Sequence, residues 1–257
     1  MTPQQLLETL ASTRFGGRQH VLLERSGGVA VAVQIEPHEA RAAWLEARAL
    51  LDTTGRWPVA MTTWPLGRPD SWLREVSALL DTGGYAHVDR PSVGAILEQA
   101  EIIEVDAALA ALEDRGWRER VEEVAPGEVD RAVAVMNEWL EPMRTQPTAM
   151  VFLPTARTVA TVAYEPWYAE DSGMPAAALV ALLARWNAEY VAEVMAHWGT
   201  MLQLRVERPP TDIDRARALA REQLLVAPCT TLLPGTHPEA HARALLQAKT
   251  WFLHERP

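Results

Sequence analysis

Residues 164–173 read YEPWYAEDSG, which places three aromatic rings (Tyr164, Trp167, Tyr168) and three carboxylates (Glu165, Glu170, Asp171) within ten positions. Two kinds of chemistry suit that mixture. A carboxyl set against apolar surface holds its proton more tightly and can work as a general acid or base. Glu165 or Asp171 would then carry the proton, with Trp167 as a platform under the substrate. The other chemistry is recognition. Rings supply rigid contact area, and the acids favour a cation or a basic partner. A plainer arrangement uses the same residues without function, with the rings closing a sheet edge and Asp171 or Ser172 capping the next helix.

A second aromatic group stands in WPVAMTTWPLGRPDSW, with Trp57, Trp64 and Trp72 around a strand at 57–63. Trp57 and Trp64 would line the same mouth if that strand lay near a strand at 158–164. Tryptophan is also an ordinary core filler, and the chain holds ten. HPEAH puts His237 and His241 four apart on one helix face. Zinc needs at least a third protein ligand, and the intervening Glu239 is at the wrong offset for a His-Glu-x-x-His site. Glu239 reads better as the far half of a capping box begun by Thr236. Cys229 follows Pro228 with no histidine close in sequence to act as its base. No Gly-x-Ser-x-Gly, phosphate loop or Gly-x-Gly-x-x-Gly occurs. No metal and no cofactor is expected.

Composition narrows the classes further. A net charge of −10 repels phosphate backbones, which argues against nucleic acid as a partner. Lys249 is the sole lysine, so arginine supplies the remaining positive charge. We read that as a bias of composition and not as a set of phosphate clamps. The uncharged run Ala176–Ala184 is nine residues, against about 20 for a membrane span. MTPQQLLETLAS has no basic start followed by an apolar stretch, so no secretory signal is expected there. A single cysteine excludes an internal disulfide and fits the reducing cytoplasm.

The elements that must position these residues are legible in outline. VAVAVQI alternates Val29, Val31, Val33 and Ile35 onto one face, and RSGG before it turns the chain, so 19–24 and 29–35 form a hairpin. The spacing predicts further strands at 57–63, 149–153, 158–164, 201–206 and 250–254, with a hairpin turn at FLPTART. It predicts helices at 70–80, 92–115, 128–141, 175–198 and 237–247. Thr2-Pro3-Gln4-Gln5, Thr211–Asp214 and Thr236–Glu239 mark helix starts. In the helix 175–198, the residues Leu179, Leu183, Trp186, Tyr190, Val194 and Trp198 form one buried stripe ended by Gly199.

An extended segment, a proline, an acidic helix start and an amphipathic helix recur from Val29, Val121 and Leu202. Proline halts the strand and acids suit the helix dipole, so repeated strand-Pro-helix units account for the pattern. Strands and helices mix without strict alternation. The fold class is therefore α/β (α+β), a mixed β-sheet covered by helices. EDRGW near residue 116 divides an N-terminal half, 1–115, from a C-terminal half, 116–257. No linker is rich enough in Gly, Ser or Pro to force two domains, so one compact domain fits equally.

From about residue 175 onward the chain resembles the family known as domain of unknown function 4253. The likeness rests on the helix LLARWNAEYVAEV, the strand and loop LQLRVERPP, the helix ARALAREQ and the tail AKTWFL. Trp186, Tyr190, Pro209-Pro210 and Trp251 keep the family's order and approximate spacing, and TGRWPVAMTTW resembles its upstream region. The chain reads Ala-Pro-Cys-Thr where the family usually has Cys-Pro-Asp, and it ends in WFLHERP. The resemblance implies a bacterial cytosolic fold and transfers no chemistry.

Together these readings favour a cytoplasmic binding or interaction module of the immunity or regulatory type, with an acidic-aromatic surface that meets a basic protein partner. The alternative is a small-molecule enzyme using carboxylates in a Trp/Tyr-lined pocket. The expected site residues are Glu165, Trp167, Tyr168, Glu170, Asp171, Trp57 and Trp64.

Overall fold

Local chemistry sets the first helix, α1 (Pro3–Leu10). Thr2 Oγ1 accepts from the Gln5 N–H at 3.2 Å, and Gln5 Oε1 accepts from the Thr2 N–H at 2.9 Å, a reciprocal cap with proline at the first helical position. The computed structural model describes residues 1–62, 90–112, 124–137, 148–170, 172–232 and 234–256. After α1 come β1 (His20–Arg25), β2 (Gly28–Ile35), α2 (Ala40–Ala49), α3 (Leu51–Thr54) and β3 (Trp57–Thr62). Then follow α4 (Val93–Ala100), α5 (Val105–Ala110), α6 (Glu128–Asn137), β4 (Thr148–Leu153), α7 (Thr161–Tyr164) and α8 (Ala176–Tyr190). The chain continues through β5 (Ala192–His197), β6 (Met201–Val206), α9 (Ile213–Val226), α10 (Cys229–Leu232) and α11 (Pro238–Leu245) to β7 (Thr250–His254).

The seven strands form one mixed sheet in the order β1-β2-β4-β3-β5-β6-β7. Every neighbouring pair is antiparallel except β3 and β5, which run parallel with Ala60 opposite Ala196 and Met61 opposite His197. Alternation sends side chains to two cores. One core packs Leu6, Leu10 and Trp44 of α1 and α2 against Val31, Val33, Met150, Phe152 and Trp57. The other gathers α4, α5, α6, α8, α9 and α11 over the opposite face. There Trp251 meets Trp186 and Tyr190 edge-on at centroid distances of 6.1 and 5.4 Å. β4 inserts between β2 and β3, so strands from either side of residue 116 interleave in one sheet.

Several sequence expectations need correction. Residues 158–164 are a 3-10 turn (Thr158–Ala160) followed by α7, and FLPTART is no hairpin. Both edges of β4 are already paired, with β2 and with β3, so a following strand has no edge to join. The segment instead drops below β5, where Thr158 Oγ1 accepts the Val194 N–H at 2.7 Å. The helix expected at 175–198 stops at Tyr190. Val191 takes a left-handed conformation (φ 50°, ψ 49°), and β5 follows. The apparent stripe persists because every residue of β5 is buried, so strand and helix burial merge in the sequence. Trp198 lies in the core opposite to Trp186. The helix expected at 92–115 is two, α4 and α5, over its described part. Asp212, not Thr211, caps α9, and His237, not Thr236, caps α11. The helix at 70–80, the boundary near residue 116 and the strand start at Val121 fall outside the described residues.

Candidate functional site

The loop after α7 follows from what its residues can satisfy. Glu165 leaves the helix in an extended conformation (φ −120°, ψ 109°) and turns its carboxylate inward. It is 3% exposed and accepts from Arg25 Nε at 3.0 Å. Burial pushes this carboxyl above its ordinary value, against the opposing pull of the Arg25 and Arg90 guanidiniums. Trp167 is 1% exposed, and its indole N–H donates to the Thr200 carbonyl at 3.1 Å. Tyr168 is half-buried, and its backbone N–H donates to the Gly199 carbonyl at 3.3 Å. Glu170 accepts from Arg90 Nε and Nη2 at 3.1 and 3.0 Å, a two-pronged pair.

Arg90 also donates to the Ala163 carbonyl at 2.6 Å and to the Val162 carbonyl, capping the end of α7 with positive charge. Tyr164 Oη donates to the Gly27 carbonyl at 3.3 Å. A Cβ at Gly27 in this β1–β2 turn would stand 2.6 Å from that hydroxyl, so a larger residue there would have to push the Tyr164 ring aside. The loop is therefore clamped from the hairpin turn, from Arg90 and from the β5–β6 turn. Arg25 and Arg90 had no local signal in the sequence. Arg25 lies 140 positions from its partner, and single arginines near turns are common.

Trp57 stands elsewhere. It is 1% exposed, its indole N–H donates to the Val194 carbonyl at 3.0 Å, and the Arg48 guanidinium lies 5.2 Å above its ring. Trp57 and Trp167 occupy cores on opposite faces of the sheet, so these two rings do not share a mouth. Glu165, Trp167, Tyr168 and Glu170 are brought together in one loop. Asp171, Trp64 and Trp72 lie outside the described residues.

Other candidate groups have structural partners. His197, on β5 beside the loop, accepts the Gly199 N–H on Nδ1 at 3.2 Å, and burial with the nearby Arg90 charge lowers its pKa to about 4. His241 Nε2 lies 2.8 Å from Gln223 Oε1, and burial likewise lowers it to about 4. Glu239 takes Arg217 at 2.9 Å through both oxygens and Arg243 at 2.9 Å, so its role is an ion-pair hub and not a capping box with Thr236. Among the described residues no group of three or more His, Cys, Asp or Glu is placed to hold a metal. Burial, with the adjacent Glu255 charge adding to it, raises the Cys229 thiol and keeps it protonated, the wrong direction for a nucleophile. Ser172 Oγ donates to Glu255 Oε1 at 2.6 Å and ties the loop's far end to the residue after β7. A cleft of about 330 Å³ opens away from this loop, between α2 and β6.

Comparison with known proteins adds one finding. Residues 149–254 match the family described as Domain of unknown function (DUF4253). That span begins in β4 and ends in β7, and it includes the whole 164–170 loop. No curated protein and no solved structure matches the chain significantly.

Proposed function

We propose that this chain, with its DUF4253 segment over residues 149–254, is a binding module that engages a basic protein partner, in an interaction or regulatory role, and not an enzyme of carboxylate acid–base chemistry. The observation that carries this reading is the corner between α4 and α5. Ile102 is 81% exposed there, and Glu98, Glu101, Glu104 and Asp106 around it are exposed as well. An apolar knob ringed by carboxylates suits a partner with an apolar socket and a basic rim. The net charge of −10 would steer that partner in. Only Asp106 of the four has an ion pair among the described residues, with Arg185 at 2.8 Å.

The enzyme reading has one observation in its favour, the raised pKa of the Glu165 carboxyl. Against it, that carboxylate is held by Arg25, and the Trp57 and Trp167 rings sit on opposite faces of the sheet. The loop then serves as a buckle that holds α7 and α8 to the sheet. In this reading Tyr168 is the ring of the loop left half-accessible to a neighbour.

The test is zero-length carbodiimide coupling in the native lysate, which joins carboxylates to lysine amines. The chain has one lysine of its own, so self-coupling is minimal. We expect couplings to one partner concentrated at residues 98–106. They should weaken at high salt (about 0.5 M) and be lost in the double variant Glu101→Lys/Glu104→Lys. Coupling that ignores both the charge reversal and the salt would overturn the proposal. So would turnover of a small molecule that Glu165→Gln abolishes in a still-folded protein.

A further inference from the structure

On the α1–α2 side of the sheet, α2 packs mainly over β3 and β4, and residues of α2 and β6 face each other across a step. The step leaves the cleft of about 330 Å³ noted above, within the range typical of small-ligand sites. Its floor is the buried Met195 of β5, and one wall is Leu45 of α2, an apolar side chain left 48% exposed. Around these stand Arg41 of α2, Arg205 of β6, Lys249 ahead of β7, and Glu207.

The charges in and beside the cleft do not balance. Arg205 pairs with Glu193 at 3.4 Å and with Glu207 at 2.7 Å, and Arg48 pairs with the same Glu193 at 2.6 Å. Two carboxylates thus meet two arginines. Arg41 and Lys249 are left over, and neither forms an ion pair with a described residue. Two cations without an ion pair among the described residues therefore line one hollow of a chain whose net charge is −10.

We propose that this cleft binds a small organic anion, a phosphate or carboxylate on a compact apolar body. The anionic group sits between Arg41 and Lys249, and the body lies on Met195 and Leu45. The planar Arg41 guanidinium offers a fork that matches either oxyanion, and the Lys249 ammonium adds a point charge. Arg205, held from two sides, keeps the wall in place. The inference is independent of the acidic corner at 98–106, which belongs to other helices on the opposite face of the sheet.

The sole lysine supplies the assay. Acylation of Lys249 by an amine-reactive ester, read by peptide mass spectrometry, reports the occupancy of this one site. Phenyl phosphate and hexanoate are the probes for the two oxyanions, and inorganic phosphate is the control without an apolar body. We expect a probe at about ten times its Kd to slow Lys249 labelling roughly tenfold. The protection should vanish in Arg41→Gln, an exposed substitution whose folding is checked by circular dichroism. Protection by phenyl phosphate alone or by hexanoate alone upholds the site and identifies its oxyanion. No protection by either at millimolar concentration overturns the proposal, as does equal protection in Arg41→Gln. Protection by inorganic phosphate equal to that by phenyl phosphate overturns the assignment of an organic anion.

Discussion

Glu165 combines the environment of a tuned acid with the contacts of a structural ion pair. Its carboxyl is desolvated, which is how an enzyme tunes an acid, yet its oxygen is bound to Arg25 and the guanidinium is nearly as buried. Arg25 Nη2 is buried without a hydrogen-bond partner, so the pair is incompletely satisfied. A buried ion pair of this kind contributes little net stability, but losing one member strands the other. We expect Glu165→Gln to lower stability by about 3 kcal/mol or more, and the double variant Arg25→Met/Glu165→Leu to stay within about 1 kcal/mol of the parent. Urea unfolding measures both. A double variant as damaged as the single one would mean that the pair holds the loop through more than mutual neutralisation.

At the scale of elements, β3 matters most. The family match begins at residue 149, and four strands, β4 to β7, fall in or at the edge of that span. Those four are not contiguous, because β3 lies between β4 and β5 and pairs with both. A fragment of residues 148–257 would therefore leave β4 without a strand neighbour and bare an edge of β5. We expect it to show no cooperative urea transition, while the full chain does. A fragment that unfolds cooperatively would show that β4 finds another place when β3 is missing. The same logic applies to residues 158–164, which find both edges of β4 already paired.

For the whole molecule, protonation couples distant parts. His197 and His241 lie in different parts of the fold, and both are held neutral with pKa values near 4, below the ordinary 6.5. The unfolded chain takes up protons that the folded chain refuses. Their contribution to stability is therefore complete above about pH 6.5 and is lost as the pH falls towards 4. Glu39, Glu46 and Glu239, whose pKa values are lowered, act in the same sense in the more acidic range below 4.5. Glu165 acts oppositely, since its raised pKa gives a contribution that is complete below 4.5 and declines as the pH rises. Between about 4.5 and 6.5 the two histidines and His254, which is likewise lowered to about 4, act against the opposing carboxyl of Glu165. We expect the urea midpoint to drop steadily as the pH falls across this interval, and His241→Gln, which keeps a donor for Gln223, to flatten the slope. A slope that His241→Gln leaves unchanged would show that this ring does protonate within the fold.

Properties that depend on near neighbours in the chain were legible from the sequence alone: the capped start of α1, the β1–β2 hairpin, the alternation of Val31 and Val33 into one core, and the mixed α/β class. Each is fixed within a few residues by hydrogen-bond satisfaction or side-chain period. The aromatic-acidic cluster was also legible, as a cluster. What it touches was decided by residues far away: Arg25 and Arg90 close on Glu165 and Glu170, and the insertion of β4 beside β3 sends Trp57 and Trp167 to opposite faces. The cleft was hidden for the same reason. Arg41, Arg205 and Lys249 share no window of sequence, and only the packing of α2 against the sheet brings them to one hollow, because pairing between distant segments follows from which strand edges remain free.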